Sequence, residues 1–296
     1  MIPNFKTLQQ FLAYFPSDEA CLKYFEQMRF AKGDFCPHCK HDKINRFSDG
    51  KRYRCAACKK DFTIKTGTLF GESKIPMQKW FIAIYLLTTR KKGISSIELA
   101  EQVGVSQKTA WYMDHRIREA LKQGRGKLSG IVEVDETYMG GKHRRSQGFK
   151  KKTPVMGMTE RGGRIKAYHV PTRETHIIHE QLKKHVIKGK THLMSDEAQV
   201  YKKLLKLGYQ RSAVKHGKGT YVRGNVHTNS IESFWALVKR QYHGTHHHMS
   251  QKHLQRYIDE IAYRFNNRDV AMADVFADVV QRVAKRGKMP YKKLTA

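Results

Sequence analysis

Four cysteines constrain the fold of this chain more than any other feature. They form two CxxC pairs with fifteen residues between them: Cys36, Cys39, Cys55 and Cys58. Four thiolates at this spacing close a tetrahedral zinc site, and the residues between them suffice for a short hairpin with Asp49 and Gly50 at its turn. A coincidental pair of CxxC motifs and a redox centre are the alternatives. We predict a zinc ribbon over residues 31–70, whose zinc is structural because four cysteines leave no open position for substrate.

The chain carries a large excess of positive charge. Its 296 residues contain 57 Lys and Arg against 26 Asp and Glu, a formal net charge of +31 at pH 7. This exceeds what solubility requires, so we expect a polyanionic partner, first of all double-stranded DNA. An anionic membrane surface is the rival, but the basic residues are spread along the chain and its longest apolar stretch, residues 80–87, is far too short to span a bilayer. The N-terminus lacks the features of a secretory signal, so we expect a soluble protein of the reducing cytoplasm and no membrane partner.

Helical patterns flank the predicted ribbon. Residues 1–30 predict an N-terminal helical segment of two short helices. Residues 74–123 predict one core-facing helix, then two helices that begin at Ser95 or Ser96 and at Ser106, with a tight turn at Gly104. This arrangement favours a helix-turn-helix DNA-binding domain, with an ordinary helical hairpin as the alternative. On its second helix, four residues would face a DNA groove: Gln107, Lys108, Tyr112 and His115.

The pattern changes after residue 123, where the sequence QGRGKL is typical of a linker. Residues 128–270 predict three consecutive strands and then alternating helices and strands, in the order β-β-β-α-β-α-β-α. An RNase-H-like α/β fold, a mixed sheet flanked by helices, requires this order. Residues 271–296 predict a basic C-terminal tail, whose last part, residues 281–296, is weakly periodic and expected to be peripheral.

Three acidic residues occupy positions that such a fold would bring together. Asp135 lies on the first strand, Asp196 follows a later strand, and Glu232 lies in the first turn of a helix. Taken singly, each has an ordinary interpretation as a strand-end charge, a helix cap, or a capping box with Asn229. Taken together, they suit nucleic-acid phosphoryl transfer, in which carboxylates hold two divalent cations. We predict that these three acids bind Mg²⁺ or Mn²⁺ and that Lys239, on the same helical face as Glu232, contacts a phosphate.

Two further groups of basic residues attract weaker hypotheses. Arg144 and Arg145 belong to a charged loop after the first acidic strand, where they would contact the DNA backbone. The histidines between His243 and His248 allow a zinc interpretation, but their position just beyond a helix favours an ordinary polar turn. His227 is a candidate phosphate contact.

Three segments carry a specific resemblance to a known family: VEVDETYMGG, SDEAQVY and HTNSIESFWALVKR. They resemble the catalytic blocks of the DDE transposases of bacterial insertion sequences, in the group that has an N-terminal zinc ribbon and is related to the eukaryotic Merlin elements. The resemblance extends from the ribbon to Asn267. It implies an RNase-H-like core in which Asp135, Asp196 and Glu232 bind the metals and Lys239 supports the site. Some members of this group have Asn as the third residue, and Asn229 is the position that would share or take that role.

The resemblance implies a bacterial, nucleoid-associated transposase. Such an enzyme binds the terminal inverted repeats of its element, cleaves phosphodiester bonds at the ends and joins the freed 3′-hydroxyl to target DNA. Pairing of two ends implies at least a dimer. A nuclease that cuts without joining is the alternative among enzymes. A DNA-binding regulator derived from a transposase is the alternative from another class, although the three intact acids favour the enzyme.

Overall fold

The computed structural model describes residues 3–124, 126–140, 152–214 and 227–296, so Arg144 and Arg145 lie outside the described residues. The chain forms two units. The first unit comprises Met1–Leu121 together with Asp269–Ala296, and the second unit comprises Lys122–Arg268.

The first unit begins with two helices that hydroxyl side chains cap. Helix α1 (Leu8–Tyr14) starts after Thr7, whose side chain accepts a hydrogen bond from the Gln10 backbone N–H. Helix α2 (Asp18–Arg29) starts after Ser17, which accepts one from Ala20. Such caps satisfy backbone donors that a helix leaves unpaired at its start. The predicted pair of short helices is therefore present.

The ribbon is a small antiparallel sheet. Strands β1 (Ile44–Arg46), β2 (Arg52–Cys55) and β3 (Asp61–Thr63) lie in the order β1-β2-β3. The turn between β1 and β2 forms at Asp49 and Gly50, as predicted. The Asp49 carboxylate accepts hydrogen bonds from the backbone N–H groups of Lys51 and Arg52, and Gly50 adopts a φ of 63°, which glycine tolerates best.

Three helices follow the ribbon. Helix α3 (Met77–Thr89) is largely buried, and helices α4 (Ser96–Val103) and α5 (Gln107–Ala120) are joined by a tight turn. Ser95 caps α4, Ser106 caps α5, and Gly104 takes a left-handed conformation with φ 67°. The turn and both starts agree with the sequence pattern.

The second unit is built on a five-stranded mixed sheet. Its strands are β4 (Leu128–Met139), β5 (Thr153–Glu160), β6 (Ile165–His169), β7 (Val186–Asp196) and β8 (Gln210–Val214), in the order β6-β5-β4-β7-β8. The first three strands pair antiparallel, whereas β7 lies parallel to both β4 and β8. This confirms an α/β core with a mixed sheet.

Helices cover both faces of that sheet. One face packs against helices α6 (Thr175–His185) and α7 (Gln199–Lys202), in a core that includes Val132 and Val134 of β4. The other face packs against helices α8 (Asn229–Gln241) and α9 (Gln251–Asn266). Because side chains alternate along a strand, Glu133 and Asp135 point to the α8 face.

The last helices, α10 (Met272–Lys285) and α11 (Tyr291–Thr295), belong to the first unit. Phe276 of α10 is fully buried, and its ring lies 5.2–5.7 Å from the rings of Phe5, Phe11, Phe15 and Phe81. Within residues 281–296, Val283, Met289 and Leu294 are also buried, so the expectation that this part is peripheral is wrong. Buried residues spaced three and four apart along α10 form an apolar stripe, which drives this segment into the core.

The expected outward position of His115 is also wrong. Its side chain is buried, as are those of its neighbours Asp114, Arg116 and Arg118. The reason is that α5 contacts three helices, α3, α4 and α10, rather than only its partner in a two-helix motif.

Candidate functional site

Asp135 lies on the face of β4 that α8 covers. The indole Nε1–H of Trp235, on α8, donates a hydrogen bond of 3.1 Å to Asp135 Oδ2. Burial is the main cause that raises the pKa of Asp135 to about 7, and the charges of Glu136 and Asp196 contribute. The carboxyl is therefore held in one orientation and is close to half-protonated at neutral pH.

Gly157 allows α8 to approach the sheet this closely. It lies opposite Asp135 in the antiparallel pairing of β4 with β5. A Cβ atom on residue 157 would lie 2.6 Å from both Ile231 Cδ1 and the Trp235 ring. Because real Cβ atoms do not approach neighbours that closely, any larger residue would push α8 away from Asp135.

Asp196 lies beside Asp135 at the end of the adjacent parallel strand. The register pairs Glu133 with Met194, so its continuation by two residues brings Asp135 opposite Asp196. The Asp196 carboxylate also accepts a hydrogen bond of 3.0 Å from the Ala198 backbone N–H. The N-cap of α7 is Ala198, without a side-chain cap bond, so the interpretation of Asp196 as a helix cap is wrong. The charge of Asp196 contributes to the raised pKa of Asp135, so the two carboxyls are near each other.

Glu232 stands apart from this pair. It is an exposed residue of the first turn of α8, and its carboxylate accepts a hydrogen bond of 2.8 Å from the Thr228 hydroxyl. Asn229 and Lys239 are exposed on the same helix. Within the described ranges, no cluster adds Glu232 to Asp135 and Asp196 at the spacing of ligands to one ion. The roles of Glu232, Asn229 and Lys239 remain predictions.

Glu133 anchors the start of α8 to the sheet, and the sequence reasoning missed it. Its carboxylate is fully buried and accepts hydrogen bonds from the backbone N–H groups of Ser230 and Ile231, at 2.8 and 3.1 Å. Arg161 pairs with the same carboxylate at 3.2 Å. A negative charge at the N-terminus of a helix is stabilised by the helix dipole and by its free donors. Glu133 therefore fixes the helix that carries Trp235 and Glu232.

Glu136 occupies the opposite face of β4 and was also missed as a site residue. The Tyr201 hydroxyl donates to its carboxylate, and the Arg173 guanidinium forms an ion pair with it at 2.8 Å. Burial raises the pKa of Glu136, while Tyr201 and Arg173 oppose that rise. The consecutive acids Asp135 and Glu136 in an apolar strand were the signal that both faces of β4 carry buried carboxyls.

The four cysteines converge in the ribbon. Their sulfur atoms lie within 4.8 Å of one another, and Cys36 and Cys58 Sγ are 3.7 Å apart. A tetrahedral zinc with bonds of about 2.3 Å requires sulfur atoms about 3.8 Å apart. The cysteine cluster therefore fits a structural zinc ion.

The two CxxC pairs have matching backbone geometry. Lys40 and Lys59, the residues after the second cysteine of each pair, both adopt left-handed conformations, with φ values of 68° and 59°. Their backbone N–H groups donate to the carbonyls of Cys36 and Cys55. This repeated turn aims both thiols of each pair at one point, as a zinc knuckle requires.

The predicted DNA-contacting residues of α5 have distinct surroundings. Gln107 and Lys108 are exposed, and the Gln107 amide donates to the Ser96 hydroxyl at 2.8 Å. Tyr112 is half-buried, and its hydroxyl donates to the Met289 carbonyl at 2.6 Å. The histidines of residues 243–248 form no metal-binding group with other described residues.

Comparison with known families accounts for both units. Residues 127–266 match the ISXO2-like transposase domain, and residues 16–61 match the transposase zinc-ribbon domain. The second unit belongs to the ISXO2-like transposase domain family. The matched domain lies within that unit and contains Asp135, Asp196 and Glu232.

A relative of this chain is encoded in a transposable element. It is described as an uncharacterized protein in transposable element ISH50 of Halobacterium salinarum, and it is 29% identical over 277 residues, 82% of this chain and 89% of that protein. Among the helices of the described residues, none has the length and apolar composition needed to cross a membrane.

Proposed function

We propose that this protein is a DNA transposase with an RNase-H-like core, which cleaves DNA at the ends of its element and transfers the strands to target DNA. The observation that carries the proposal is the proximity of Asp135, which lies within β4, to Asp196, which lies at the end of the adjacent parallel strand β7. Two nearby carboxyls, with Glu136 close behind, disfavour full ionisation, and a divalent cation would relieve that repulsion. The donor set therefore suits Mg²⁺ or Mn²⁺.

In the proposed mechanism, Asp135, Asp196 and Glu232 would hold the metal ions, with Asn229 as the alternative third ligand. When bound, the ions lower the pKa of water and of the 3′-hydroxyl and stabilise the charge on the phosphoryl oxygens. Asp135 must lose its proton before it can bind a cation. Trp235 holds one oxygen of Asp135, Glu133 holds the start of α8, and Lys239 would contact a phosphate.

DNA binding is proposed for the zinc ribbon and for α4 and α5, which together would form a helix-turn-helix. Gln107, Lys108 and Tyr112 are the proposed contacts on α5, and Arg144 and Arg145 those beside the catalytic strand. The net charge of +31 supports a polyanionic partner. Terminal inverted repeats are the proposed specific site, a dimer or larger oligomer would pair two ends, and the nucleoid of the cytoplasm would be the location.

The decisive experiment is a cleavage and strand-transfer assay on a duplex that carries the element end. Zinc-loaded protein is incubated with Mg²⁺ or Mn²⁺, and Asp135→Asn and Asp196→Asn are compared with Glu180→Gln, an exposed carboxylate of the same unit. We expect both aspartate variants to lose cleavage and joining while they still bind DNA. Full activity in either folded variant would refute the assignment. DNA binding by wild type without any cleavage would instead favour the regulator.

A further inference from the structure

The exposed part of α5 is limited to its first turn. From Asp114 to Arg118 every side chain is buried, whereas Gln107 and Lys108 are exposed. A recognition helix normally presents a row of side chains to the groove. This helix alone presents too little surface, so neighbouring residues of the first unit must supply the rest of any DNA contact.

The chain after α10 packs along α5 from Lys108 in the first turn to Arg116. Met289, whose side chain is buried, accepts hydrogen bonds through its carbonyl from the Tyr112 hydroxyl at 2.6 Å and from Arg116 Nε at 3.2 Å. The Tyr291 ring lies edge-on to the Tyr112 ring, with centroids 5.4 Å apart. Lys108 Nζ lies 5.4 Å from the centre of the same Tyr291 ring. These contacts hold residues 285–293, here the C-terminal segment, beside Lys108.

The C-terminal segment is strongly basic on its exposed side. Residues 285–293 include five Lys and Arg and no Asp or Glu. Lys288 pairs with Glu72 at 2.8 Å. Four other cations are exposed: Lys285, Arg286, Lys292 and Lys293. Met289 and Leu294 are buried on the other side, so the segment is fixed in place with its charges outward.

We propose that the first turn of α5 and the C-terminal segment form one composite surface that binds the phosphate backbone of double-stranded DNA. Lys108, Lys292 and Lys293 would contact phosphates, and the Tyr112 and Tyr291 rings set their spacing. The proposal rests on the DNA binding proposed above. Phosphate contacts position a protein on DNA without reading sequence, so this surface should act on any duplex.

The test measures the binding of full-length, zinc-loaded protein to two labelled duplexes by fluorescence anisotropy. One duplex carries the element end and the other is unrelated. The variant is Lys292→Gln with Lys293→Gln, and the matched control is Lys6→Gln with Lys32→Gln, two exposed lysines of the same unit. All four positions are exposed, so the variants should fold, which thermal unfolding checks.

We expect the slope of log affinity against log salt to be smaller by about 1.8 in the Lys292/Lys293 variant, because each phosphate contact contributes about 0.9. Between about 50 and about 200 mM salt, wild-type affinity should then fall about 12-fold more than that of the variant. The change should be equal on both duplexes and absent from the control.

The outcomes separate this inference from the proposed function. If wild type binds both duplexes and the Lys292/Lys293 variant has the slope and affinity of the control, the composite surface is refuted while DNA binding stands. Tighter binding by the variant would also refute it, because the segment would then be covering the DNA site. If wild type itself binds neither duplex, the proposed function fails together with the inference.

Discussion

Substitution of Asp135 by Asn tests the electrostatics of the site without DNA. The pKa of this carboxyl is raised from its ordinary value of 3.8 to about 7, first by burial and then by Glu136 and Asp196. Between these two values the metal-free folded protein holds a proton that the unfolded chain releases. The carboxyl therefore favours folding most below pH 3.8, and this contribution is lost as the pH rises through about 7.

The magnitude follows from the shift. Each unit by which folding raises the pKa corresponds to about 1.4 kcal/mol. The free energy of unfolding of wild type therefore falls by up to about 4 kcal/mol between low pH and about pH 8. Asn has nearly the same shape, carries no charge and keeps an oxygen that can accept from Trp235 Nε1. Asp135→Asn should thus be more stable than wild type at pH 8 by up to about 4 kcal/mol, and close to wild type at pH 4.

The assay is urea unfolding of zinc-loaded protein without added Mg²⁺ or Mn²⁺. Unfolding is measured by hydrogen exchange in peptides from β4. Peptides from this strand report on the second unit by itself. Glu180→Gln, which removes an exposed carboxylate, should show no such pH dependence. At pH 8, added Mg²⁺ should stabilise wild type and not Asp135→Asn. A stability difference between Asp135→Asn and wild type that stays constant from pH 4 to pH 8 would refute the reasoning.

Four other changes have defined outcomes. Gly157→Ala should destabilise the second unit by about 1–3 kcal/mol in urea unfolding, because its Cβ would overlap α8, whereas Gly124→Ala, with open space around it, should not. Glu133→Ala should cost about 1–3 kcal/mol, since it leaves the backbone N–H groups of Ser230 and Ile231 without their acceptor, and Glu133→Gln should cost less. Removal of zinc by a chelator should unfold the ribbon, which should reduce the circular dichroism signal and make the ribbon sensitive to proteolysis. Addition of zinc should restore the signal and the resistance to proteolysis. Finally, Glu232→Gln and Asn229→Ala should differ in Mn²⁺ affinity measured by calorimetry, and the variant that weakens binding more identifies the third ligand. Wild-type affinity in both variants would exclude both residues.

Local features of the fold could be predicted because their causes are local. Ser95, Ser106 and Gly104 stop and start helices through bonds within a few residues, so the sequence pattern indicates them directly. The spacing of the four cysteines along the chain is sufficient to predict a tetrahedral zinc site. Asp135 and Asp196 could be placed near each other because the order of strands and helices in the sequence predicts that their two strands belong to one sheet.

Other features depend on contacts between residues that are distant in the chain. Glu133 anchors backbone groups nearly a hundred positions later, at Ser230 and Ile231, and no local pattern specifies that pairing. The need for glycine at position 157 arises only once Trp235 packs against it. His115 was assigned to the surface because the helix that helps to bury α5 follows the whole second unit.

The division of the first unit between two distant parts of the chain has a consequence for its synthesis. Phe276 completes the aromatic cluster around Phe11 and Phe81, yet the ribosome reaches it only after all of Lys122–Arg268. During translation the second unit can fold first, while α2, α3 and α5 wait for α10. A nascent or truncated chain that ends before α10 would therefore lack a finished first unit, and such fragments would compete poorly with full-length molecules for the partner of that unit.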